Sequence, residues 1–187
     1  MNRFHRWYCK TGHWRRTVRQ QIVPWVLDGI ALGEEVLEVG PGPGLTTDLL
    51  AEKAERVTAV EIDPGLADQL RTRTAGTNVV VRTADATRLP FGDETFSAAV
   101  CFTMLHHVPS AALQDQLLAE VFRVLRPGAM FAGSDSTSSV IFRAAHLFDT
   151  MVLVEPDSFG ARLRNAGFAD VLVGRGKAAF KFQGQKR

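Results

Sequence analysis

From residue 34 onward the chain alternates short apolar runs with longer amphipathic stretches, and this alternation limits the fold more than any other feature. Val36–Val39, Val57–Ile62, Val79–Val81, Ala98–Phe102 and Ala129–Ala132 are hydrophobic without strict alternation, as strands covered on both faces are. Thr46–Ala54, Pro64–Thr74 and Ala111–Leu125 separate them with helical spacing. In the last, Leu113, Leu117, Val121, Val124 and Leu125 form one stripe. Pro127-Gly128 is expected to stop that helix and turn the chain into the next strand. Units of this length predict an α/β fold with a doubly wound, mostly parallel seven-stranded sheet. Phe168–Val173 and Lys177–Phe182 flank Gly174-Arg175-Gly176, which predicts a C-terminal hairpin whose antiparallel strand closes one sheet edge. The chain reads as one domain, 1–187. It has an N-terminal helical cap over 1–33, with Val18, Ile22, Trp25 and Val26 on one face. A core over 34–135 follows, then a lid segment with a C-terminal helix and hairpin over 136–187.

The first apolar run leads straight into Gly40-Pro41-Gly42-Pro43-Gly44 and then a helix. In a doubly wound sheet, ligands bind beyond the carboxyl ends of the strands, where strand order reverses. Glycine there lets the backbone approach a ligand without a Cβ in the way. The spacing does not suit a dinucleotide, because the third glycine of a G-x-G-x-x-G fingerprint falls on Leu45. A phosphate-cradling P-loop fails as well, since Gly44 is not followed by Gly-Lys-Ser/Thr. Pro41 and Pro43 also remove two backbone N–H donors, the groups that hold phosphates. A stiff, donor-poor loop suits a nucleoside without a pyrophosphate, and S-adenosylmethionine (SAM) is such a ligand.

Three carboxylates fall at consecutive strand ends. Glu61 lies 21 residues past Gly40, where an acid accepts both ribose hydroxyls, a feature shared with NAD proteins. Asp85 follows the third run and is placed to accept an adenine amino group. Glu38 closes the first run and is placed to offset the ammonium of a methionine moiety. Singly, each is equally well explained as a surface or capping acid; three in consecutive units are not.

The stretches VLEVGPGPGLTTDLL (36–50), RVTAVEIDPGLADQL (56–70), VVRTADATRLPFGDETFSAAVCFTMLHHV (80–108) and VFRVLRPGAMFAGSD (121–135) together resemble a class I SAM-dependent methyltransferase. The group is type 11, which includes quinone C-methyltransferase-like enzymes. Leu163-Arg164-Asn165-Ala166-Gly167-Phe168 resembles that family's last helix-to-strand turn. The resemblance implies a Rossmann-like methyltransferase fold with 34–135 as the SAM-binding core. It implies donor contacts at Glu38, Gly40, Pro41, Gly42 and Gly44, at Glu61 and Ile62, and at Asp85 and Ala86. It sets Phe102 and Thr103 beside the methionine and the sulfonium. One position departs from the family: after Phe96 an Asp is usual, and here Ser97 stands, which bears on strand-start packing more than on donor binding.

A sulfonium methyl is already activated, so the protein mainly has to align a nucleophile with it, and orientation alone supplies effective molarities of roughly 10⁵–10⁸ M. A base is needed only where the nucleophile must lose a proton. His106 and His107, just beyond the fourth strand, are the candidate catalytic residues; the plainer role for either is packing or capping the next helix. The Asn/Asp-Pro-Pro-aromatic pattern of adenine- and cytosine-N methylation is missing, and Cys9 and Cys101 lack the Pro-Cys context of pyrimidine C5 attack. Cys101 reads as a buried small hydrophobe. The five His and two Cys show no metal-ligand spacing. The expected cofactor is SAM, with S-adenosylhomocysteine as product, and no metal.

Acceptor choice is expected outside the core. Trp7, Tyr8 and Trp14 crowd the N-terminus, while Phe142, His146, Phe148 and Met151 lie in a segment, 134–158, that reads as a short lid. Both elements are small, which favours a shallow acceptor site or one completed by a second subunit of a homodimer. Net charge is +2, but residues 1–33 hold six Lys/Arg against Asp28 alone, and residues 162–187 hold seven against Asp170 alone. Basic ends attract an anionic partner, although solvated tails explain them as simply. The expected activity is methyl transfer to an O, N or C nucleophile of a small or lipid-like acceptor. The alternatives are transfer to RNA or a phospholipid headgroup at an anionic membrane surface, and a non-catalytic SAM-binding protein. Two cysteines point to a reducing compartment. No apolar run approaches the ~20 residues that span a bilayer, and no apolar stretch of a secretory signal follows the basic N-terminus, so a cytoplasmic location is expected.

Overall fold

Strands that are apolar on both faces need cover on both sides of their sheet, and the chain provides it. The computed structural model describes residues 11–137 and 151–187. The N-terminal cap comprises α1 (Gly12–Thr17), a π-helical turn (Val18–Ile22) and α2 (Val23–Val26). β1 (Glu35–Val39), α3 (Leu45–Ala51), β2 (Arg56–Glu61), α4 (Pro64–Arg73) and β3 (Val79–Thr83) follow. Next come β4 (Phe96–Phe102), a 3₁₀ turn (Leu105–His107), α5 (Ala111–Val124) and β5 (Leu125–Ser136). The chain ends with α6 (Pro156–Asn165), β6 (Ala169–Arg175) and β7 (Ala179–Gln185).

One seven-stranded sheet forms, in the order β3-β2-β1-β4-β5-β7-β6. The first five strands are parallel, β7 runs antiparallel to β5, and β6 antiparallel to β7. Strand order therefore reverses between β1 and β4, which opens a crevice at their carboxyl ends. Successive side chains of a strand point to opposite faces. Val36 of β1 and Ala98, Val100 and Phe102 of β4 pack with Val18, Val23 and Val26 of the cap and with Leu49 and Leu50 of α3. Leu37, Val39, Ala99 and Cys101 pack with Leu117, Val121 and Val124 of α5 and Phe159 and Leu163 of α6. Phe131, Phe159, Phe168, Phe180 and Phe182 close that second layer, with Phe159 and Phe182 at 4.9 Å between centroids.

Four local expectations are corrected. The cap helix is broken by the π turn: Pro24 has no N–H to return to Gln20, and the Val23 N–H donates to Val18 O five residues back. α5 ends at Val124 rather than at Pro127-Gly128, because Leu125 already pairs with Phe96 of β4. Pro127 and Gly128 lie within β5, where the register shifts before Met130 meets Ala98. β5 runs on past Ala132 to Ser136, since β7 pairs with Ser134, Asp135 and Ser136. The antiparallel strand β7 is inserted between β5 and β6, so β6, not β7, forms the sheet edge. The burial pattern explains this, for Phe180 and Phe182 of β7 are fully enclosed while Leu172 of β6 is exposed.

Ser97 ties two strands together. Its Oγ accepts the Glu35 N–H at 2.9 Å and lies 2.9 Å from Leu32 O and 3.0 Å from Glu35 O, the carbonyls it can donate to. Its role is therefore at the start of β1 and β4, far from the crevice. Trp7, Tyr8, Cys9, Phe142, His146 and Phe148 lie outside the described residues, as does most of the segment read as a lid. Among the described residues no helix is long and apolar enough to cross a membrane.

Candidate functional site

After β1 the chain enters the glycine loop with φ of +67° at Gly40, +53° at Gly42 and +82° at Gly44, a region that L side chains adopt only at a cost. The loop spends its backbone donors internally. Gly40 N–H donates to Val60 O at 2.9 Å, Gly44 N–H to Pro41 O at 2.9 Å, and Gly42 N–H to Glu61 Oε2 at 3.0 Å. Pro41 and Pro43 have none to give. From residue 40 to 44 no backbone N–H is left for a phosphate. Behind the loop, Arg73 of α4 donates to Pro43 O and Gly44 O at 3.3 and 3.1 Å and pairs with Asp48 of α3 at 2.5 Å.

A cavity of about 320 Å³ opens between this loop, the ends of β2, β3 and β4, and the cap. Ten of the thirteen sequence-predicted residues line it: Gly40, Pro41, Gly42, Glu61, Ile62, Asp85, Ala86, Phe102, Thr103 and His107. A Cβ on Gly42 would meet nothing within 4 Å, whereas one on Gly40 would lie 2.9 Å from the Met104 side chain. Glu61 is buried, its Oε1 accepting the Asp63 N–H at 3.0 Å while Oε2 holds Gly42. A carboxylate has about four acceptor directions, so two remain for a ligand. Asp85 is exposed; its Oδ1 accepts both the N–H and the hydroxyl of Thr87 at 2.8 Å. Thr103 carries φ of +49°, a strained value for a β-branched residue and of a kind concentrated at functional sites.

Three of the predicted residues do not reach the cavity wall. Glu38 is enclosed beneath the loop, where the hydroxyls of Thr46 and Thr47 donate to its two oxygens, the second at 2.6 Å. Burial pushes its carboxyl up from the ordinary 4.5 to about 7, against the opposing pull of those two hydrogen bonds. Gly44 faces α4 instead, where a Cβ would stand 2.4 Å from both Leu70 and Arg73. His106 is buried below the wall: its Nδ1 lies 2.5 Å from Asp135 Oδ1, and its backbone N–H donates to Asp135 Oδ2 at 3.0 Å. Its ring packs against that of His107, centroids 4.2 Å apart at 44°. Only His107 of the pair borders the cavity.

Sequence reasoning missed the apolar half of the wall. Val18 and Ile22, the two ends of the π turn, line it with Trp14, Met104, Leu113 and Leu117. Trp14, one of the aromatics crowding the N-terminus, both lines the cavity and packs on the core. Met104, Leu113 and Leu117 carry no signal that separates a cavity wall from ordinary core. Among the described residues no group of three or more His, Cys, Asp or Glu is gathered as a metal site.

A family model described as a methyltransferase domain matches residues 37–133, just over half of the chain, from β1 through the middle of β5. The chain belongs to the class I SAM-dependent methyltransferases. This methyltransferase is 26% identical over 185 aligned residues to a ubiquinone biosynthesis O-methyltransferase of Pseudomonas fluorescens, covering 87% of this chain and 78% of that enzyme. It is 30% identical over 121 residues to a demethylmenaquinone methyltransferase of Tropheryma whipplei, covering 65% of this chain and 47% of the relative. It thus spans about half the length of some curated relatives it matches. The crystal structure of a SAM-dependent methyltransferase from Aquifex aeolicus shares the fold over 100% of both chains, with a TM-score of 0.75 at 19% identity.

Proposed function

We propose that this methyltransferase binds SAM in the cavity and transfers its methyl group to a small or lipid-like acceptor, with a hydroxyl on an apolar ring as the favoured nucleophile. The observation that carries the reading is the donor-free loop locked onto Glu61. It favours an adenosyl ligand without phosphates and leaves a buried carboxylate facing where a ribose would lie. Asp85, with Oδ2 accepting no hydrogen bond among the described residues, would take an adenine amino group beside Ile62 and Ala86. The space above Gly42 is open, with nothing within 4 Å of where a Cβ would stand, which supports a ligand lying there.

When bound, SAM supplies a sulfonium methyl: the nucleophile forms a bond to that carbon as the C–S bond breaks, and its electron pair passes to sulfur to give S-adenosylhomocysteine. The protein contributes alignment, water exclusion and a place for the proton. Trp14, Val18 and Ile22 of the cap offer an apolar face for a ring. His107, on the wall, would take the hydroxyl proton. The name of the Pseudomonas relative supports an oxygen nucleophile on a quinone-type precursor. The test is calorimetric titration with SAM and S-adenosylhomocysteine, followed by radiolabelled transfer from SAM to catechols bearing short apolar tails. Binding of both nucleosides with methylated catechol supports the proposal; a chain that binds neither contradicts it.

A further inference from the structure

We propose that Asp135 is a positioning residue for methyl transfer: it holds His106 in one tautomer and one orientation, and so keeps the His107 ring on the cavity wall. This rests on His107 as the base of the proposed reaction. Asp135 sits near the end of β5, fully buried, with Asp135 opposite Phe180 of β7. None of its acceptor capacity reaches the cavity. Oδ2 takes the His106 backbone N–H at 3.0 Å, while Oδ1 takes the Ser136 N–H at 2.6 Å and meets His106 Nδ1 at 2.5 Å. Both oxygens accept, which assigns a ring proton to Nδ1.

The clamp is one side of a fuller frame around the Leu105–His107 turn. Gln114 of α5, fully buried, donates from Nε2 to Leu105 O at 3.0 Å and to Val152 O at 2.9 Å. Val152 N–H donates to His106 O at 2.8 Å, and His107 N–H closes the turn on Met104 O at 2.9 Å. Arg162 of α6 fixes Gln114 by donating to its Oε1 at 2.9 Å. With the backbone on either side of His106 held, and its ring held by Asp135, the packed His107 ring has one seat. A general base acts only within hydrogen-bond reach of its proton, so a fixed seat for the ring favours transfer. Asp135 touches neither donor nor acceptor; it works through His106.

The experiment compares the wild-type chain with Asp135→Asn, labelled with ¹⁵N-histidine. Asparagine cannot accept from all three donors that meet Asp135: with its carbonyl on the His106 N–H, its NH₂ displaces the Ser136 N–H and faces Nδ1, and that placement sends the ring proton to Nε2. The ¹⁵N spectrum should show His106 as the Nδ1–H tautomer in the wild type and as Nε2–H in the variant. Affinity for S-adenosylhomocysteine should stay within about twofold, while kcat for methylation of 4-tert-butylcatechol falls about tenfold or more at nearly constant KM. An Nε2–H tautomer in the wild type, or an unchanged kcat in a variant whose tautomer has flipped, overturns the proposal. If Asp135→Asn does not fold, the wild-type spectrum alone still decides the tautomer. His107→Gln separates the two readings: an active His107→Gln chain removes the base itself, whereas an inactive one beside an active Asp135→Asn chain removes only Asp135.

Discussion

Glu61 Oε2 accepts the backbone N–H of Gly42 at 3.0 Å, so the acid proposed to hold a ribose also holds the loop proposed to cradle it. In the proposed function, donor binding and loop geometry are therefore one mechanical unit. The second oxygen, on the Asp63 N–H, extends the unit to the start of α4, and Arg73 returns from the far end of that helix to the carbonyls of Pro43 and Gly44.

Glu61→Ala removes both the proposed ribose acceptor and the loop's anchor. Hydrogen bonds to charged groups contribute about 1.5–3 kcal/mol each, so calorimetry should show S-adenosylhomocysteine affinity lower by about 100-fold or more. Arg73→Ala leaves the cavity wall intact and loosens only the loop's rear support, so its loss of affinity should be distinctly smaller.

Gly40→Ala and Gly42→Ala should fail differently. Both place a side chain at positive φ, costing about 1–2 kcal/mol. At Gly40 the new Cβ also meets Met104 at 2.9 Å, so Gly40→Ala should lower thermal stability further. At Gly42 the Cβ enters open space in the cradle, so stability should fall by little more than the backbone cost while donor affinity drops at least as far as in Gly40→Ala. Thermal melts with and without S-adenosylhomocysteine separate the two effects.

Glu38 predicts a stability difference that depends on pH in a defined direction. Its carboxyl is raised by burial from 4.5 to about 7. Below about pH 4.5 folded and unfolded chains both carry it protonated. Between 4.5 and 7 the unfolded chain releases the proton while the folded one retains it, so the native state loses stability as pH rises; above 7 the loss is constant. Glu38→Gln escapes this, and its stability relative to wild type should grow across that window by on the order of 3 kcal/mol. Urea melts at pH 4.5, 6 and 8 read it directly, and a difference that is flat or shrinks with pH contradicts a buried carboxyl raised by desolvation there.

Ser97→Ala tests the strand-start role. It removes an acceptor for Glu35 N–H and the single O–H that lies within reach of Leu32 O and Glu35 O, at about 1–3 kcal/mol for a group left unsatisfied. Denaturant midpoints should fall accordingly, with donor affinity unchanged, because Ser97 lies at the opposite end of β4 from Phe102.

The sheet and most of the residues that line the cavity were legible because both depend on local pattern. Doubly buried strands read as unbroken apolar runs, and the glycines and acids at their ends stand at fixed spacings from them. What escaped depends on partners distant in sequence. β5 could be seen only to Ala132, because Ser134 and Asp135 look like loop residues until β7 pairs with them. That same pairing carries Asp135 to His106, 29 residues away, and so separates the two histidines, which the sequence treats alike. Glu38 and Gly44 sit in the motif yet turn away from the cavity, since neighbours on α3 and α4, not position in the motif, decide which way each faces. The apolar wall from Val18 to Leu117 had no signature beyond that of core.

Titration of S-adenosylhomocysteine into the wild-type chain, with NAD as the competitor, tests the central claim most directly. Saturable one-to-one binding of the nucleoside that NAD does not displace, lost in Glu61→Ala, is the predicted result. Heat from NAD and none from S-adenosylhomocysteine would mean that the loop holding Gly42 to Glu61 serves a dinucleotide, contrary to everything inferred from its missing N–H donors.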